Sequence, residues 1–396
     1  MKHRILTALA CGTLLASAAV ASPAAAHGWE PRPPIAGEPE PIADGLNGPL
    51  SLEVDRRGVS HLSENFTAEL SRVDRDGTVS TLASAPGGEI AAVSSRRGTL
   101  YYAQLAVGPS GYTASALMAR DRRGETRQVA DIFAYETATN PDRVNTYGFS
   151  GLSEGCRGQF PEDFAYAASP YPGIVDTHPF ATLPSWNGVY VADAGANAIL
   201  RVGYDGTVST VAVLPALAPV TVSAEVATAQ GLPACAAEGT FIAEPVPTDV
   251  EWGPDGWLYV TSLPGGPEDA SLGARGSVLK VNPWSGKVVP VATGFLGATN
   301  LAVSLRTGNV YVAELYGGAE GAGQVSVLTR RSTSPTPLIA LASPGAVGLR
   351  NGRLYVTTNV FAPDAAELVA VPLKEKNRWG GFHTFTDEDN RSADDD

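Results

Sequence analysis

The hexapeptide DGTVST occurs twice, at 76–81 and 205–210, and each copy follows a short apolar strand, LSRV at 70–73 and ILRV at 199–202. Ahead of that strand stands a glycine that opens another one, usually carrying tyrosine between apolar residues. Six segments carry this glycine-strand signal: GVSHL from Gly58, GTLYY from Gly98, GVYV from Gly188, GWLYV from Gly256, GNVYV from Gly308 and GRLYV from Gly352. Each follows a further short apolar strand through a turn rich in Gly, Asn, Arg or Pro. Asp-Gly and Asn-Gly at such positions are strong hairpin signals, so each unit spells a four-stranded antiparallel meander. The glycines are spaced by 40, 90, 68, 52 and 44 residues, which suits propeller blades with insertions in the second and third intervals.

The expected fold is therefore all-β: a six-bladed β-propeller of four-stranded antiparallel blades over 41–375. The last unit lacks an outermost strand on its C-terminal side. The N-terminal segment EPIADGLNG supplies one, so an N-terminal strand closes the ring and removes an exposed edge. The stretch 134–176 reads as irregular loop and carries no seventh unit. Abundant Gly (43) and Pro (30) without a collagen period agree with a turn-dense β protein.

Lys2 and Arg4, the apolar run 5–21 and the small residues 24–26 read as a signal peptide over 1–26, cleaved after Ala26. The protein is thus expected to be secreted, with a Pro-rich leader at 27–40 and an acidic disordered tail at 376–396. A net charge of −13 with no Lys/Arg run argues against nucleic acid and anionic membrane surfaces. No later run is long enough to span a membrane. The partner expected is an unidentified extracellular ligand or protein, and the chain a monomer. Two cysteines remain after the signal, Cys156 and Cys235, and an oxidising compartment favours a disulfide between them.

Strand alternation sends the short turns to one face of the disc and the long connections, 103–115, 134–177, 215–246, 261–276 and 313–323, to the other. Loops on a rigid scaffold are where binding usually resides. The ligand-binding candidates on that face and around the channel are Glu136, Asn140, Asp142, His178, Asp193, Asn197, Glu244, Asp249, Asn300 and Glu314, with Tyr135, Tyr147 and Tyr316 as stacking aromatics. No zinc spacing, nucleophile elbow, phosphate loop or dinucleotide fingerprint is present, so no catalytic residue and no metal ligand is assigned. The leading reading is a non-enzymatic binding protein without a cofactor. The alternative is a metal-dependent, lactonase-like hydrolase at the top of the central channel, with a divalent cation near Asp249 and Asn300 and Glu89 as a third ligand-type residue.

Four segments, DIFAYETATNPD, GVYVADAGANAILRVGYDGTVSTVAVLP, PVPTDVEWGPDGWLYV and GFLGATNLAVSLRTGNVYVAEL, resemble the ScyD/ScyE family of exported six-bladed propellers. The resemblance covers roughly 38–372, and the E-x-A-x-N-P-D block is its most specific part. It implies fold and export, and brings no catalytic residue set. The first two units match poorly, and the segments bearing Cys156 and Cys235 are additions to the pattern.

Overall fold

The computed structural model describes residues 33–109 and 111–375. The proposed signal peptide, the start of the leader and the acidic tail lie outside the described residues.

Six sheets follow one another along the chain, each an antiparallel meander. The first runs Pro49–Val54, Ser60–Glu64, Glu69–Val73 and Val79–Ser84; the second Gly88–Arg96, Thr99–Gly108, Gly111–Arg120 and Thr126–Asp131. The third comprises Pro179–Ser185, Gly188–Asp193, Ala198–Val202 and Val208–Val213. The fourth comprises Pro247–Trp252, Leu258–Ser262, Gly276–Val281 and Val288–Phe295. The fifth is built from Ala298–Val303, Val310–Glu314, Gln324–Leu328 and Thr336–Ala340. The sixth has Val347–Arg350, Arg353–Thr358 and Ala366–Lys374, and its outer edge is taken by Glu40–Leu46 and Ile35–Ala36, both antiparallel to Ala366–Lys374.

Apolar residues fill the space between successive sheets. Leu70, Ile90 and Tyr102 join the first to the second; Tyr101, Leu117, Val191 and Leu200 join the second to the third. Tyr190, Ile199, Val250 and Val260 continue to the fourth, and Val278, Phe295, Leu301 and Val312 to the fifth. Tyr311, Val327, Val347 and Val356 reach the sixth. A last cluster, Leu46, Leu62, Leu368 and Tyr355, joins the sixth sheet to the first. Apolar burial of this kind contributes roughly 25 cal/mol per Å², so each sheet is stabilised chiefly by its neighbours.

The repeated hexapeptide lies at the turn between third and fourth strands, in the first sheet and again in the third. Asp76 and Asp205 each accept the N–H two residues on, at 3.1 and 3.0 Å from Thr78 and Thr207. Gly77 and Gly206 have φ of +85° and +89°, which disfavours any side chain. A second constraint comes from the neighbouring sheet. A Cβ on Gly77 would fall 2.4 Å from the Ile42 carbonyl oxygen, and one on Gly206 2.9 Å from that of Val129, both on the outer strand of the preceding sheet. The motif therefore recurs because the turn must both reverse the chain and touch its neighbour.

Two expectations are corrected. Residues 103–115 are no loop: Thr99–Gly108 and Gly111–Arg120 pair along most of their length as one long hairpin. The stretch 134–176 is not irregular either. It holds a helix, α1 (Ile132–Thr139), capped by Asp131 accepting from Ala134 N, and a strand, Thr146–Ser150. That strand lies between Tyr171–Pro172 and Thr240–Ile242, and Val220–Thr221 completes a small seventh sheet built from both insertions. Phe149, Phe160, Val222, Val226 and Phe241 give this layer its own core, and the Cys156–Cys235 disulfide ties its halves together with a Cα separation of 5.7 Å. Its pairings are between segments far apart in sequence, which no local pattern announces.

Candidate functional site

Two sets of sequence candidates serve to hold the sheets. Asp249 and Asn300 stand just after a bulge on the first strand of their sheets, as Ser51 does. Each accepts an N–H from the first strand of the next sheet: Ser51 Oγ from Val93, Asp249 Oδ2 from Leu301 and Asn300 Oδ1 from Val347, all at 2.8 Å. Asp249 Oδ1 accepts from Val250 at 2.8 Å. Burial pushes its pKa up to about 7, against those two N–H groups. The oxygens proposed to hold a divalent cation are thus occupied as latches between sheets.

The second set ends the second strands. Glu314 Oε2 accepts from Leu296 N at 2.8 Å, and its Oε1 accepts from Ser326 and Gln324. Glu64 does the same with Asn47 N at 2.8 Å and Ser71. Asp193 accepts from His178 N at 2.7 Å, Ala196 N at 3.2 Å and Thr177 Oγ1 at 2.9 Å. These acids fasten the segment that enters each sheet. Asp193 and Glu314 therefore act as braces, which the shared position after the apolar-tyrosine strand could have signalled.

His178 is brought into a different setting. At the entrance of the second and third sheets its Nε2 lies 3.0 Å from Glu89 Oε1, and Tyr112 donates to Glu89 Oε2 at 2.6 Å. Asn65 Nδ2 donates to Glu89 Oε1 at 2.7 Å and is itself fixed by Ser63 Oγ at 2.7 Å. Burial opposes the Glu89 charge, but His178, Tyr112 and Asn65 outweigh it and hold the carboxyl below its ordinary pKa. Burial likewise opposes His178 protonation, yet Glu89, then Asp193 and Asp176, hold its pKa above the ordinary value. The imidazole stays 23 % exposed and the carboxylate 12 %. Such a carboxylate–imidazole pair can take and return a proton near neutral pH. Glu89 heads a first strand after Gly87-Gly88, a weak sequence signal; Tyr112 comes from the far end of the long hairpin and had none.

The remaining candidates gather against the insertion layer. Asp142 Oδ2 accepts from Asn197 Nδ2 at 2.8 Å and from Tyr147 OH at 3.1 Å. Glu244 Oε1 accepts from Tyr171 OH at 2.8 Å, and Asn140 Nδ2 donates to the Gly173 carbonyl at 2.9 Å. Glu136 lies on α1, fully buried. Tyr147 is buried core rather than a stacking surface, and Tyr135 bonds Thr210 at 2.8 Å. Beside Glu244 and Tyr171 opens a cavity of about 300 Å³ walled by Phe149, Phe160, Phe164 and Phe241. Among the described residues no group of three or more His, Cys, Asp or Glu side chains is disposed to hold a metal ion, and no helix is long and apolar enough to cross a membrane.

No protein-family model matches the chain, and no curated protein does. Solved structures do. The PQQ-bound aldose sugar dehydrogenase of Streptomyces coelicolor is 14 % identical with a TM-score of 0.53, covering 87 % of this chain and 100 % of that one. A glucose dehydrogenase is 12 % identical at a TM-score of 0.50, covering 84 % and 99 %. A putative gluconolactonase is 13 % identical at 0.46, covering 87 % and 93 %. The first two likenesses establish a β-propeller fold. The first two of these structures are enzymes, and against them the leading reading, a non-enzymatic binding protein, is withdrawn.

Proposed function

We propose that the chain is a propeller hydrolase acting on a small lactone or ester, with its reaction centre at Glu89, His178 and Tyr112. The observation that carries this reading is the convergence of three donors on Glu89, one of them the partly exposed imidazole of His178. With Nε2–H given to Glu89, neutral His178 keeps its lone pair on Nδ1. That nitrogen takes a proton from water as the water oxygen bonds to the substrate carbonyl carbon. Collapse of the adduct breaks the acyl C–O bond, and the proton passes from His178 to the departing alkoxide. Glu89 stabilises the imidazolium formed in between, while Tyr112 and Asn65 fix the carboxylate.

The cation that the sequence placed near Asp249 and Asn300 has no part in this mechanism, because those oxygens are committed to backbone N–H groups. A pyrroloquinoline quinone carries three carboxylates. Neither the Glu89 cluster nor the aromatic cavity offers an arginine or lysine to receive them, so no step is derived through it.

The same proposal includes a closed ring of six blades, with Glu40–Leu46 as the closing strand. Six inter-sheet apolar clusters in cyclic order and the Thr357 Oγ1 bond to Pro49 O at 2.8 Å support it. Membership of the ScyD/ScyE family and export by the N-terminal segment belong to it too; the disulfide fits an oxidising compartment.

The test is hydrolysis of a panel of aldonolactones and aryl esters by the purified chain. His178→Ala should lower kcat/KM by about 10²- to 10⁴-fold. The rate of the wild type should rise with pH along a limb set by the raised His178 pKa, and Glu89→Gln, by removing the charge that raises it, should move that limb to lower pH. A His178→Ala variant that hydrolyses the panel as fast as wild type sinks the proposal.

A further inference from the structure

Buried polar atoms in folded proteins nearly always have a hydrogen-bond partner, and exceptions ask for an explanation. The oxygens at the root of the insertion layer are such exceptions. Both carboxylate oxygens of Glu136, Oδ1 of Asn140, Oδ1 of Asp142 and Oδ1 of Asn197 are out of contact with water and without a donor. Glu136 is 0 % exposed, Asp142 1 % and Asn197 1 %. The backbone N–H of Asp176 faces Glu136 without reaching hydrogen-bond geometry.

The local structure shows why these groups meet. Glu136 and Asn140 are four residues apart at the end of α1, so they share a face. Asn140, left-handed at φ +37°, turns the chain so that Pro141 and Asp142 start the next short helix beside it. Asn197, left-handed at φ +49°, comes from the third sheet, and its Nδ2 ties it to Asp142 Oδ2 at 2.8 Å. Gly173 closes the other side: a Cβ there would sit 1.9 Å from Asp142 Oδ1.

We propose that Glu136, Asn140, Asp142 and Asn197 bind one calcium ion that fixes α1 and the insertion layer to the third sheet. The chemistry of the donors selects the ion. Two carboxylates balance its charge, and five protein oxygens in a dry site approach the six to eight that Ca²⁺ takes, whereas Mg²⁺ keeps several waters in a strict octahedron. Soft or imidazole-seeking metals find no sulfur or nitrogen ligand among these four residues. Asp193 and Glu244 stand nearby with their oxygens already bonded, which leaves them as braces of the site.

The experiment uses the purified full chain. Metal analysis after equilibrium dialysis against about 100 µM free Ca²⁺, with the dialysate subtracted, should return about one calcium per chain. Chelation with EGTA should lower Tm and open the 132–176 region to protease, and Ca²⁺ at 1 mM, about 100-fold over a ~10 µM site, should restore both while equal Mg²⁺ does not. In Glu136→Gln and Asp142→Asn, calcium affinity should fall at least about tenfold, a loss of ~1.4 kcal/mol. If Glu136 is merely a buried neutral acid, neither EGTA nor Ca²⁺ moves the wild type and Glu136→Gln is more stable in both conditions, which overturns the site. Calcium held equally by wild type and both variants overturns it as well, by placing the ion elsewhere, for instance on the acidic C-terminal segment. Should either variant fail to fold, wild-type chelation and metal content decide alone.

Discussion

The two faces of the molecule use charge in opposite ways. On the short-turn face, arginines scattered through the sequence as DRRG, DRDG, SRRG and TRRS stay at the surface: Arg56, Arg57, Arg75, Arg97, Arg122, Arg123, Arg330 and Arg331 are all exposed. Their solvation costs nothing, and the turns that carry them close on their own aspartates, as Asp55 does with Arg57 N at 2.7 Å and Asp121 with Arg123 N at 2.8 Å. On the long-connection face five acids are instead buried: Glu64, Glu136, Asp142, Asp193 and Glu314 are each 5 % exposed or less. A buried carboxylate must be bonded or lose its charge. The turn face keeps its charge in water, whereas each buried acid of the other face needs a donor or a cation.

The contrast predicts that the insertion layer can be loosened without the sheets. Replacing Cys156 and Cys235 by serine opens a bridge across 79 residues and should cost about 4 kcal/mol, with cleavage confined to the insertions in limited proteolysis. Simultaneous loss of the whole sheet signal in circular dichroism would break the distinction between layer and ring.

Glycines on the turn face sharpen it next. Gly256 has φ +74° and nothing near its missing Cβ, so Gly256→Ala should cost only the backbone term, about 1–2 kcal/mol. Gly77→Ala adds a collision at 2.4 Å with Ile42 O and should cost roughly twice that in denaturant unfolding. Equal costs would mean that the turn does not bear on the strand taken from the N-terminal side.

An effect no larger than that of Gly77→Ala is expected at the latches. Asp249→Ala leaves the Leu301 and Val250 N–H groups without an acceptor and should cost about 2–3 kcal/mol, whereas Asp249→Asn keeps one acceptor oxygen, enough for the Leu301 N–H as Asn300 serves Val347, and should cost less, about 1–2. The smallest effect is its pH dependence. Asp249 is raised from 3.8 to about 7, so its protonated form favours the fold; that stability is complete below pH 3.8 and is lost as pH rises through about 7. Tm should fall over that window in the wild type and fall less in Asp249→Asn. A wild-type Tm that rises over the window would assign the buried acid a charged, bonded state instead.

Much of the fold was legible because the information is local. A Gly at positive φ, an Asp that accepts the N–H two residues on, and alternation along four short strands all act within ten residues, and the unit then repeats. The site was legible only as residue types. Glu136, Asn140 and Asp142 are close in the chain, within one E-x-A-x-N-P-D block. Asp193, Asp249, Asn300 and Glu314 carry the same chemistry in the sequence, yet the fold spends them on N–H groups of neighbouring segments. Glu89 and Tyr112 meet His178 only because the second sheet's long hairpin leans over the entrance to the third, and the small sheet of the insertions joins strands some ninety residues apart.

What the sequence alone determined, then, is the repeating meander and the residues able to act as acids or acceptors, since turn chemistry and strand period are properties of short stretches. What the tertiary structure decided is which of those oxygens have donors. That depends on inter-sheet register and on how two distant insertions pack, and desolvation converts the difference into function: an acid with a donor becomes a latch, while one without becomes a place for an ion.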